Sequence, residues 1–146
     1  MTALHIALGV GLVAVNLAAG AWGAWCWWRD EPSRAFWPLL RAGQVLVLIA
    51  AADGAVLVAM GRELPDLHLI YGLTPVLVSF LGEQLRLASA DSVLQARGLE
   101  DSAAVGRLPS TEQQAVVRAI VRREMGVMAA SALVVTVLGL RAGGWL

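Results

Sequence analysis

Lysine is absent from this 146-residue chain, cysteine and tyrosine occur once each, histidine occurs twice, and charged residues make up only 15%. Each scarcity excludes something. The single cysteine, Cys26, provides neither a disulfide nor a redox couple. Without a Cys-x-x-Cys or His-Glu-x-x-His motif there is no ready zinc set, and two imidazoles would need a further ligand such as Glu63 or Asp66. The chain has no glycine-rich phosphate loop, no Ser-His-Asp arrangement and no repeat of roughly 20 to 50 residues, so hydrolysis of a soluble substrate is not expected. A formal net charge of zero with no basic face argues against nucleic acid as a partner.

What is plentiful is apolar. At 58% hydrophobic residues the chain exceeds what a water-soluble domain of this size can hide, so lipid must serve as its solvent. A hydrocarbon layer about 30 Å thick needs roughly 20 apolar residues per helix. Four stretches qualify, about 3–28, 37–60, 67–86 and 125–141, within one integral membrane domain over 1–146. The first stretch lacks a basic leader and a small-residue cleavage site and ends in Trp25-Cys26-Trp27-Trp28-Arg29, so it reads as a retained span. The expected fold is all-α, a four-transmembrane-helix up-down bundle.

Orientation follows from arginine. Arg29, Arg34 and Arg41 flank the first connection, and Arg86, Arg97, Arg107, Arg118, Arg122 and Arg123 flank the third, whereas only Arg62 and Arg141 lie on the other side. Nine against two makes the first and third connections cytoplasmic and both termini extracytoplasmic. Asp30-Glu31-Pro32-Ser33 reads as a tight turn with proline at a helix start, and Gly61 and Pro65 stop the second span before Asp66 caps the third. The third connection keeps a helical pattern to Gly98, and Pro109-Ser110 with Gln113 resembles a capping box that opens a helix running to Arg141, roughly 48 Å long. Spans three and four are therefore expected to extend into the cytoplasm as a hairpin over 87–124. Leu87, Val93 and Leu94 would face Val116, Val117, Ile120 and Val121, around a mobile tip from Gly98 to Leu108.

His5 and His68 begin the first and third spans, at the same depth. In an up-down bundle those two helices lie on a diagonal, so inward side chains from them face across the core. Gly9, Leu12, Asn16 and Gly23 share the His5 stripe, and Gly72, Pro75, Ser79 and Gly82 share the His68 stripe. Small residues one turn below each imidazole make room for a flat macrocycle, although they also let helices pack closely with no ligand. Histidine is equally at home in the interfacial layer with no special role. Asp53 is costly in lipid and falls within reach of His68 and Tyr71, where it could orient an imidazole, relay a proton or join helices. Glu83, with Gln84 and Arg86, reads as a wet cluster near the cytoplasmic face, and Asn16, Gln44 and Ser79 as polar glue. Trp22, Trp25, Trp27, Trp28 and Trp37 gather at the cytoplasmic end, suited to headgroup anchoring, a quinone pocket or a seam against another subunit.

In layout the chain resembles small four-helix b-type membrane cytochromes, and its His68-Leu69-Ile70-Tyr71-Gly72 segment resembles one found in small, uncharacterised membrane proteins of high-GC bacteria. The resemblance implies the bacterial cytoplasmic (inner) membrane and haem b with His5 and His68 as axial ligands to the iron. Tyr71, Asp53, Gly9 and Gly72 would surround it, and Arg62 or Arg141 would stand near the propionates. With only two histidines a single haem is accommodated, which suits electron transfer to quinone, to a redox partner or within a larger membrane complex. Two other readings stand beside it: a non-catalytic scaffold or assembly subunit docking partners, or a second copy of itself, through the Trp-rich end and the hairpin, and a small proton or solute conduit using Asp53 and Glu83.

Overall fold

The computed structural model describes residues 2–63 and 65–146 and is all-helical. Its elements are α1 (Ala3–Arg29), α2 (Phe36–Ala59), α3 (Asp66–Ala96), the short α4 (Ser102–Gly106) and α5 (Ser110–Ala142). Among the described residues, three helices are long and apolar enough to cross a membrane, α1, α2 and α5. Although α3 is 31 residues long, His68, Tyr71, Thr74, Pro75, Ser79 and Glu83 dilute its apolar face. It still exposes Leu69, Ile70, Leu73, Leu77, Phe80 and Leu81, a surface suited to lipid rather than water. The molecule is a membrane helical bundle.

Each boundary has a local cause. Thr2 opens α1 by accepting the His5 amide N–H on its Oγ1 at 3.2 Å, which fixes His5 in the first turn. All four long helices close with the same backbone device, in which an N–H just past the end reaches back six residues inclusive: Glu31 to Cys26, Arg62 to Leu57, Leu99 to Leu94 and Trp145 to Leu140. The device needs a left-handed residue, supplied by Gly61, Gly98 and Gly144 and, after α1, by Asp30 at φ 55°. An aspartate tolerates that conformation better than most side chains. Here its carboxylate is also held by Arg122 Nε at 3.2 Å and by Arg118 at 3.7 Å.

Several helix starts differ from expectation. Ser110 is the first residue of α5 and Pro109 precedes it with no side-chain cap; Gln113 instead donates to the carbonyls of Gly106 and Leu108. Asp66 is likewise the first residue of α3 and caps nothing, and Pro32 lies in the connection, four residues before α2. The hairpin tip carries α4, capped by Asp101 accepting the Ala104 N–H at 2.8 Å. Within the hairpin Val93, Leu94 and Val116 are buried, but Leu87 and Val117 face outward, because the two helices cross with only one stripe of each in contact.

The packing is uneven. α5 lies along both α3 and α1, α1 lies along α2, and α2 barely touches α3. Small residues make the tight seams. A side chain at Gly20 would bring its Cβ to 2.7 Å from Leu133 Cγ, one at Gly139 to 2.8 Å from Val13 and one at Gly82 to 2.6 Å from Ser131 Oγ. Phe36, Leu40, Met125 and Met128 fill one end of the core, and Leu12, Val13, Val47 and Val135 its middle. Asn16, buried between α1 and α2, donates to the carbonyls of Leu12 and Gly43 at 2.9 and 3.3 Å. Gly20→Val is expected to lower stability by about 1–3 kcal/mol through overpacking of the α1–α5 seam. A thermal melt of the detergent-solubilised protein followed by helical ellipticity checks this, with Gly106→Val, at a position open on all sides, as the comparison.

Candidate functional site

The start of α1, the C-terminal third of α2, the start of α3 and the end of α5 meet at one end of the bundle, as antiparallel connectivity requires. Because α2 and α3 scarcely touch, their seam opens there into a cavity of about 500 Å3. His5, Tyr71, Gly9, Gly72 and His68 all line it, with Pro75 below. Cβ atoms at Gly9 or Gly72 would meet nothing within 4 Å, so both glycines widen the space rather than seal a helix crossing.

The two imidazole rings approach to 5.8 Å between centroids with their planes 52° apart. Each is held from behind. His5 Nδ1 lies 2.8 Å from Asp53 Oδ2, the two side chains being 13% and 19% exposed. His68 Nδ1 lies 2.9 Å from the carbonyl oxygen of Ala142, the last residue of α5. A carbonyl only accepts, and so does an ionised carboxylate, so both Nδ1 atoms must donate. Neither Nε2 hydrogen-bonds any described protein group, so in the neutral ring it carries a free lone pair. Such pinning of one ring nitrogen by a carboxylate or carbonyl is how metal-ligating histidines are oriented.

Some expectations are corrected here. Asp53 meets His5 rather than the His68 and Tyr71 side of α3, because it projects from α2 toward its neighbour α1. Arg141 sits with its guanidinium carbon 5.8 Å from the Tyr71 ring centroid and donates to the Leu146 carbonyl at 2.6 Å. Arg62 is exposed in the α2–α3 connection and does not line the cavity. Among the described residues no three His, Cys, Asp or Glu side chains cluster to hold an ion, so neither Glu63 nor Asp66 completes a zinc set. Glu83 is bound into a network with Arg41, Gln44 and Arg86, and Arg86 reaches Glu124 at 3.7 Å. Gln44 and Asp53 are nine residues apart on α2, roughly 13 Å along the axis. The two acids thus serve separate ends of the bundle.

Three contributors escaped sequence reasoning. Gly54 places its Cα where a Cβ would lie 3.6 Å from His5 Cε1, Trp145 folds back over the cavity after the turn at Gly144, and the Ala142 carbonyl supplies an acceptor. The Gly143-Gly144-Trp145 ending was the one available signal for the fold-back. No protein-family model, no curated protein and no solved structure matches the chain.

Nitrogen-15 spectra of histidine-labelled protein are expected to show both side chains protonated at Nδ1. In Asp53→Asn the His5 signals alone should change, and His68 should keep its pattern.

Proposed function

We propose that this chain is an integral membrane b-type haem protein of the bacterial cytoplasmic membrane, ligating one haem between His5 and His68 and passing electrons to quinone or a partner subunit. In this reading α3 is a fourth span, the bundle runs up and down, and the end carrying His5, His68 and Ala142 faces outward. The arginine asymmetry of nine against two supports that orientation, and the exposed apolar face of α3 supports its place in lipid. α3 and α5 beyond the membrane would form the cytoplasmic hairpin.

The observation that carries the proposal is the facing pair of imidazoles with Nε2 free. An iron held about 2 Å from one nitrogen of each ring sets the ring centroids roughly 6 Å apart, and 5.8 Å meets that requirement. Two protein ligands are too few for zinc but sufficient for iron whose other four ligands belong to a porphyrin. The cavity between α2 and α3 is apolar and widened by glycine where a macrocycle would lie. Haem supplies reversible one-electron exchange when bound. The chain supplies the rest: Asp53 and the Ala142 carbonyl orient the rings, Asp53 makes the His5 ring the more basic ligand, and Trp145 covers part of the site. Arg141, beside Tyr71, is the cation best placed for a propionate.

A second reading has its own support. Trp25 and Trp28 pair at 5.5 Å yet remain 52% and 68% exposed, a surface suited to a protein partner in a scaffold role.

An absorption spectrum of detergent-purified protein tests the haem reading. A Soret band with a sharp reduced α-band, lost in both His5→Ala and His68→Ala, is expected. Asp53→Asn should retain haem with a raised reduction potential, since a less basic ligand favours the oxidised iron less. A protein that stays colourless after reconstitution with hemin overturns the reading.

A further inference from the structure

A second concavity lies at the opposite end of the bundle, between α1 and α5, and has nothing to do with the histidines. Its volume is about 450 Å3, and its walls are Ala24, Gly126, Val127, Ala130 and Leu133, with Trp27 and Arg123 at the mouth. The arginines around that mouth differ in one respect. Arg118 donates to the Asp30 carbonyl at 2.7 Å, and Arg122 is held by Asp30 Oδ1 and by the Trp27 carbonyl while stacking over the Trp27 ring at 5.6 Å. Arg123 is exposed and makes no hydrogen bond or ion pair to any described residue. The Trp27 indole N–H is also without an acceptor among the described residues. It packs against Gly126, where a Cβ would lie 2.7 Å from Nε1.

A cation and an N–H donor, both without acceptors among the described residues, therefore line one apolar trough. From Arg123 to Leu133 the trough follows ten residues of α5, roughly 15 Å. That is about half of a 30 Å hydrocarbon layer, the depth of one leaflet. Tryptophan and arginine at the mouth are the residues that settle among headgroups, and free positive charge there favours an anionic headgroup. We propose that this groove binds one anionic phospholipid, its phosphate on Arg123 and the Trp27 N–H and an acyl chain lying along Gly126, Ala130 and Leu133. The proposal rests on the bundle being embedded in lipid and is independent of any haem.

Native mass spectrometry of the full chain in neutral detergent, titrated with phosphatidylglycerol or with phosphatidylcholine of the same acyl chains, provides the test. One phosphatidylglycerol should be retained with roughly tenfold preference, the worth of one charge-assisted hydrogen bond. Arg123→Gln should abolish the preference, and Ala130→Leu should weaken retention of both lipids. Both substitutions fall at exposed positions, and helical ellipticity verifies that the fold persists. Equal retention of the two lipids by the wild type, an undiminished preference in Arg123→Gln, or displacement of the lipid by millimolar inorganic phosphate would each overturn the proposal. So would a dimer without lipid adducts that is lost in Ala130→Leu, since a second copy of the chain would then fill the groove.

Discussion

The close seating of α5 against both α1 and α3 is the constraint on which the rest depends. Lipid offers no hydrophobic drive between helices, so association rests on van der Waals contact and on backbones that can come close. Gly20, Gly126 and Gly139 provide that approach toward α1, and Gly82 meets Ser131 toward α3. With α5 serving as the common partner, the positions of α1 and α3 are set relative to each other across the bundle even though the two hardly touch. α2 packs chiefly against α1 and meets α3 mainly through the polar network around Glu83. The seam between α2 and α3 is therefore the loose one, and the cavity is found there.

The ends of this bundle are chemically different because polar groups in an apolar interior must be tied. At one end Arg41, Gln44, Glu83, Arg86 and Glu124 connect α2, α3 and α5, and Asp30 gathers Arg118 and Arg122 beside the tryptophans. Such exposed or half-exposed ion pairs contribute modestly to stability, but they fix the register of three helices where α2 and α3 would otherwise part. The middle is nearly free of polar side chains, with Asn16 satisfied by two carbonyls. At the far end, among the described residues, the titratable groups lining the cavity are the two imidazoles and the Tyr71 phenol.

Much of this was legible in the residues. Helix limits came within a residue or two for α1 and α2, since hydropathy marks long apolar runs directly, and the length of α3 and α5 followed from an unbroken helical pattern. The meeting of His5 with His68 was legible too, because depth and diagonal placement follow from connectivity alone. Azimuth was not. Whether Asp53 turns toward α1 or α3 depends on how α2 is rotated about its axis, and in a helix apolar nearly all round no periodicity reveals that rotation. The same ambiguity misassigned Leu87 and Val117. The unused caps at Asp66 and Ser110 have another cause: in each case the proline just before takes the position outside the helix, and the polar residue moves one place inward.

Why an acid, Asp53, stands beside His5 and none beside His68 at the end of α5 follows from helix polarity. An imidazole in an apolar bundle needs an acceptor for its second nitrogen, and the only ones available without a polar side chain are the last carbonyls of a helix, which have no partner within it. α3 begins beside the end of α5, so His68 finds the Ala142 carbonyl, at the negative end of the α5 dipole, with no further residue required. His5 has no such neighbour. Its partner α2 continues six residues beyond Asp53 to Ala59, roughly 9 Å, so the carbonyls beside His5 are already used within the helix. A side chain must supply the acceptor, and in lipid a carboxylate is tolerated there only because the imidazole N–H answers it. The two rings are thereby oriented alike by unlike means. His5 gains a carboxyl partner and His68 a backbone carbonyl, so the two facing rings are inequivalent.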